Sequence, residues 1–244
     1  VDREPDQDVR AGLVLGAHWG FLAFFIGIGG YHLANLLIAV FFSGHFGGFD
    51  QLELHDVGPL LLVAFVPNLL LGLGPLIGSK LWGLGLRVDF GTIGLRDIKV
   101  GLACGGFALL AGYLANLVLI AVYGTERASE NPLTDFSSEL GGSRLWLVLA
   151  ALIVVLAAPL TEELLVRGAL WSALDRYKIP QWVTLVLTAI VFAHLHGEPT
   201  RTIALFAQGI MIGLARYFTG NAGAAVVAHA ANNLPPALLL LGGN

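Results

Sequence analysis

Long stretches of this sequence carry no formal charge, among them the residues between Asp56 and Lys80 and those between Lys99 and Glu126. Each exceeds the roughly 20 apolar residues that a helix needs to cross a bilayer. Stretches of this kind read as transmembrane helices, and they constrain the fold more than any other feature. Composition agrees. Hydrophobic residues make up 56% of the 244, charged residues 12%, and mean hydropathy is +0.78. A soluble domain carries about 25% charged residues, so an ordinary soluble globule is excluded. Disorder is excluded too, because disordered chains are poor in hydrophobes. The expected fold is all-α, a polytopic transmembrane helical bundle.

Seven spans are predicted, at about 12–42, 58–77, 100–123, 145–174, 181–196, 202–218 and 222–241, and an eighth if one is missed. The first is longer than a bilayer requires and is expected to bend at Gly27-Ile28-Gly29-Gly30. The second contains Pro67 and Pro75. The stretch 81–97, apolar but broken by Arg87, Asp89 and Arg96, reads as an interfacial helix or as an ordered loop. No internal repeat is present, so the reading is a single membrane domain over 1–244, with spans over 12–123 that carry no recognised motif.

Lys and Arg concentrate on alternate sides of these spans. Arg3 and Arg10, then Lys80, Arg87, Arg96 and Lys99, then Arg176 and Lys178, then Arg216 fall on one side; Arg127, Arg144 and Arg201 fall on the other. By the positive-inside rule the first side, with the N-terminus, is cytoplasmic. The 13 basic residues are scattered singly between apolar runs, so nucleic acid is not an expected partner, whereas the lipid bilayer is. Cys104 is the only cysteine, which excludes an intrachain disulfide; in its small apolar surroundings it reads as packing.

Ionisable groups at membrane depth cost a few kcal/mol each and default to functional hypotheses. The fourth span reads Ala158-Pro-Leu-Thr-Glu162-Glu163-Leu-Leu-Val-Arg167-Gly168. Glu163 and Arg167 are spaced i,i+4 and share a helix face, so they read as a structural ion pair. Glu162 points about 100° away and has no local countercharge. The fifth span ends Phe192-Ala-His194-Leu-His196, where the two rings diverge by about 200° and only one can face a common centre with Glu162. In the seventh, His229 and Asn233 are i,i+4, with Asn232 as an alternative to Asn233. At 1.5 Å per residue these groups lie about 10–22 Å along their helices from the cytoplasmic side, so one polar centre made by three non-adjacent spans is expected. Asn35, Asn68, Asn116 and Gln208 read as hydrogen-bonding groups within the bundle.

Glu162-Glu163-x-x-x-Arg167, Phe192-x-x-x-His196 and His229-x-x-x-Asn233 resemble, in order, the three motifs of the CPBP family, which includes type II CAAX prenyl endopeptidases and bacteriocin-processing, Abi-like membrane proteins. The resemblance covers about 145–241 and implies a four-helix catalytic core. It also implies an intramembrane endopeptidase in which Glu162 and His196 activate water while His229 and Asn233 stabilise the oxyanion. The residue types suit the reaction, which needs a base for water and donors for a tetrahedral oxyanion. His194 is the alternative to His196.

The favoured reading has no cofactor. The competing one makes Glu162, His196, His229 and Asn233 ligands of a divalent metal such as zinc, although the helical H-E-x-x-H signature is absent. The expected substrate is a peptide or membrane protein, prenylated or not, cut near the cytoplasmic leaflet. The Gly-, Ala- and Leu-rich composition reads as bacterial, which points to a bacterial plasma membrane. Two other classes remain open at this level: a non-catalytic scaffold or immunity protein, and a small proton-coupled transporter using the same Glu and His residues.

Overall fold

The computed structural model describes residues 12–46, 57–124 and 144–242. Arg3, Arg10 and Arg127, used above for orientation, lie outside the described residues. Where apolar runs are long, the backbone has no water to bond and closes its own hydrogen bonds as helix. The helices are α1 (Trp19–Phe46), α2 (Val57–Trp82), the single turn α3 (Leu86–Asp89), α4 (Leu95–Tyr123), α5 (Arg144–Arg176), α6 (Gln181–Leu195), α7 (Thr202–Thr219) and α8 (Ala222–Gly242). Six of them are long and apolar enough to cross a membrane; α6 is a shorter apolar helix. The chain is an all-α, multi-pass membrane protein.

The start of the first span differs from expectation. Residues 12–18 form a hairpin, β1 (Leu13–Val14) pairing antiparallel with β2 (Ala17–His18), and the helix begins only at Trp19. Leu15 and Gly16 turn with φ of 54° and 82°, and Trp19 N–H donates to the Gly12 carbonyl at 2.7 Å. Helix α1 runs unbroken through Gly27–Gly30. Gly27 instead lets α2 approach: a Cβ on Gly74 would stand 3.1 Å from Gly27 N and 2.8 Å from the Ala23 carbonyl oxygen. Small residues at such a crossing gain van der Waals contact that lipid would otherwise supply.

Stretch 81–97 is an ordered loop with one helical turn. Asp89 Oδ2 ties it together, accepting from Ser79 Oγ (2.5 Å), Leu84 N–H (3.0 Å) and Gly85 N–H (3.1 Å). The fifth span stops at Leu195, followed by His196, Gly197 at φ 65° and a 3-10 turn, Pro199–Arg201. Its 15 residues rise about 22 Å, less than the roughly 30 Å hydrocarbon thickness.

The interior is built by the later helices. The buried share of the apolar window rises from 11% in α1 to 39% in α7 and α8. Helix α5 packs against α1, α2, α6 and α8, while α4 packs against α7 and α8. The core gathers Leu165, Val166, Phe192, Ile212, Ala215, Ala225 and Ala228, with Cys104 buried among them. Large side chains such as Phe25, Leu36, Val118 and Leu239 stay exposed on the outer surface, as lipid permits.

Helix α5 is not regular. It passes through two π-helical stretches, Ile153–Ala157 and Leu164–Leu170, on either side of the segment that carries the glutamates. Extra turns of this kind are frequent at functional sites.

Candidate active site

Between the two π stretches lies Ala158–Glu163, so Glu162 and Glu163 sit on a short regular piece of α5. Consecutive positions diverge by about 100°, and the two carboxylates enter different surroundings. Glu163 is fully buried. Its Oε1 accepts from Arg167 Nη1 at 2.9 Å and pairs with His229 Nδ1 at 3.0 Å. Arg167, equally buried, gives its other terminal nitrogen to the Gly209 carbonyl of α7 at 2.6 Å. Glu163 Oε2 and Arg167 Nε have no hydrogen-bond partner, so the network hinges on Oε1.

Glu162 is half-buried. Its Oε2 lies 3.8 Å from His196 Nε2, with side chains 17% and 23% exposed. His196 Nδ1 is 2.8 Å from the Phe192 carbonyl. A carbonyl only accepts, so Nδ1 carries a proton, and when the ring is neutral its Nε2 is an acceptor turned toward Glu162. His194 is exposed on the outer side of the helix end, its Nδ1 bonded back to the Ile190 carbonyl at 3.0 Å.

Phe192 joins the two imidazoles. Its ring meets His196 edge-on at 4.6 Å and His229 at 5.3 Å, and the Arg167 guanidinium lies 4.7 Å above it. One ring thereby holds both histidines and the cation that neutralises Glu163.

The expected centre thus divides into two carboxylate–imidazole pairs, Glu162 with His196 and Glu163 with His229. Sequence reasoning assigned Glu163 to Arg167 alone and placed His229 with Asn233 in one polar centre shared with Glu162. The missed link has a simple origin: Oε1 accepts two donors, one from its own helix and one from α8. Asn233 is half-buried; its Nδ2 donates to the Val154 carbonyl at 3.0 Å, and its Oδ1 accepts from Asn232 Nδ2 at 3.0 Å. Buried Asn232 in turn accepts from Gln208 Nε2 of α7 at 3.3 Å. Gln208 and Val154 were not read as site residues. A usable signal was present in Pro159, which cannot donate to the preceding turn.

Residues 144–235 match the family model described as type II CAAX prenyl endopeptidase, Rce1-like. The match starts at the first residue of α5 and ends two residues after Asn233, so it spans all three motifs and none of α1 to α4. No curated protein and no solved structure matches the chain. Over residues 144–235 the chain is thus similar to the Rce1-like type II CAAX prenyl endopeptidases, in agreement with the CPBP resemblance of its three motifs.

Proposed function

We propose that the protein is an intramembrane endopeptidase in which Glu162 and His196 activate the hydrolytic water. The observation that carries this is the 3.8 Å approach of Glu162 Oε2 to His196 Nε2. Both atoms are acceptors when the carboxylate is ionised and the ring neutral. A water about 2.8 Å from each fits between and beside them with a proton directed to either. Glu162 takes a proton as the oxygen attacks the scissile carbonyl, and returns it to the leaving amine. The oxyanion is held by the second N–H of Asn233 Nδ2 and by His229 Nε2. When His229 Nε2 donates while Nδ1–H stays with Glu163, the ring is an imidazolium that shares the Glu163 carboxylate with Arg167.

The donor set supports chemistry without a metal. A catalytic zinc takes three protein ligands, and Asn233 Oδ1 is already taken by Asn232. Among the described residues no three His, Cys, Asp or Glu side chains form a metal-holding group.

The substrate is a peptide or membrane protein cut near the cytoplasmic leaflet, with the N-terminus cytoplasmic. Purified protein in detergent, given internally quenched peptides ending in farnesylated Cys-aliphatic-aliphatic-X and their unmodified forms, tests the reading. Cleavage that survives chelator is expected. Binding without cleavage would make the protein a scaffold, and loss of activity restored by zinc would move the reaction to metal catalysis.

A further inference from the structure

The first π stretch of α5 leaves one backbone carbonyl without a helical partner. Ala158 N–H bonds to the Ile153 carbonyl, five residues back. In regular α-helix that N–H would serve Val154. In the π register the next donor for Val154 would be residue 159, which is proline and has no N–H. The Val154 carbonyl is thus freed twice over, and Asn233 Nδ2 occupies it at 3.0 Å.

A carbonyl can only accept, so it fixes the polarity of everything bonded behind it. Asn233 must present its nitrogen to Val154, which turns its oxygen to Asn232. Asn232 must then present its own nitrogen, at 3.0 Å, and turn its oxygen to Gln208, whose nitrogen closes the chain at 3.3 Å. Three carboxamides, each of which could otherwise flip by 180°, are set in one orientation. Asn233 Oδ1 is committed, and its remaining free polar group is the second N–H of Nδ2, a donor.

The first half of the chain contributes the seat of this relay. Gly112 of α4 faces Gln208, and a Cβ there would stand 2.8 Å from Gln208 Cδ.

Resting on the hydrolase reading above, we propose that Gln208 and Asn232 are positioning residues. Together with the Val154 carbonyl freed by Pro159, they hold the Asn233 carboxamide with an N–H, not its oxygen, available to the oxyanion. Gly112 keeps Gln208 in place. An asparagine free to flip would present an oxygen to a developing negative charge in part of the population and lose transition-state stabilisation without losing substrate binding.

The test uses the full protein and the quenched peptides, with Asn232→Asp, Gln208→Leu and Gly112→Ala, alone and combined with Asn233→Ala. Each single variant is expected to lower kcat about tenfold or more while KM stays within about twofold. Gly112→Ala should do so although alanine favours helix over glycine. In the Asn233→Ala background none should cost anything further. Equal losses with and without Asn233, or unchanged kcat, would overturn the relay. If Asn233→Ala itself cleaves at the wild-type rate, the assignment of Asn233 to the reaction fails, and its positioning residues fail with it. A readout without turnover separates the two cases. In protein 15N-labelled at asparagine, Gln208→Leu should move the side-chain amide resonances of Asn233 as well as Asn232. Unmoved Asn233 resonances would remove the relay even where the hydrolase reading holds.

Discussion

Glu162 and Glu163 occupy adjacent positions with opposite surroundings, one half-buried beside an imidazole acceptor, the other sealed between Arg167 and His229. Substitutions should separate them. Glu162→Gln removes the base while leaving Arg167 its hydrogen-bonded countercharge, Glu163, so it should abolish cleavage with little change in melting temperature. Glu163→Gln leaves Arg167 buried without its countercharge, and breaking a buried pair costs about 3–5 kcal/mol. It should lower thermal stability sharply and also loosen His229. Cleavage and melting of both variants check this; a stable, inactive Glu163→Gln beside an active Glu162→Gln would exchange the two roles. The two histidines at the C-terminal end of α6 divide in the same way. His196→Ala is expected to be inactive, since His196 lies 3.8 Å from the Glu162 carboxylate. His194→Ala should retain most activity, because its ring is exposed and bonded to its own helix. Equal losses in the two variants would bring His194 into the site.

At the level of elements, the apolar runs and the i,i+4 motifs were legible because helix period and hydrophobicity are local properties of a sequence. Glu163–Arg167 follows from one helix, and the Phe192–His196 contact from one turn of another. What was not legible came from between helices, His229 choosing Glu163 and Gln208 reaching Asn232, and from the π register within α5. The hairpin at Leu13–His18 was masked by its hydrophobicity, which merged it with α1.

That hairpin has its own titratable latch. His18 is buried, and its Nδ1 accepts Gly20 N–H at 3.1 Å, while its own backbone N–H donates to Tyr177 Oη at 3.4 Å. Burial pushes the imidazole below its ordinary value of 6.5; Asp89 opposes this and Arg176 adds to it. The folded state therefore binds fewer protons than the unfolded chain just below pH 6.5. The contribution of His18 to stability is complete above that pH and is lost as pH falls through the lower folded value, where a proton on Nδ1 also removes the acceptor for Gly20. Melting temperature should drop on acidification below about 6.5, and His18→Asn, which keeps an acceptor but does not titrate, should flatten that part of the profile.

For the whole molecule, the loops from alternate helix ends are tied together at one pole. Arg96 Nη2 donates to the Phe218 carbonyl at 2.9 Å, Asn221 Nδ2 reaches the Thr92 carbonyl at 2.8 Å and Asp97 Oδ2 at 3.1 Å, and Tyr177 meets His18. Lys80, Arg87, Arg96, Lys99, Arg176, Lys178 and Arg216 all belong to these ends, whereas Arg144 and Arg201 begin helices at the other pole. By the positive-inside rule such asymmetry favours a cytoplasmic basic pole, the orientation proposed above. His229 lies seven residues into α8 from Ala222, about 10 Å from that pole, so water and the charged product should exchange with the cytoplasmic side. Single cysteines at Val226 and Ala230, which flank His229 on α8 and are half-buried, provide the measurement in a Cys104→Ala background. A membrane-impermeant thiol reagent should label them in inside-out vesicles and leave them untouched in right-side-out ones. The reverse pattern would place the basic pole outside the cell, against the charge rule, and would move the substrates of Glu162 to the extracellular face.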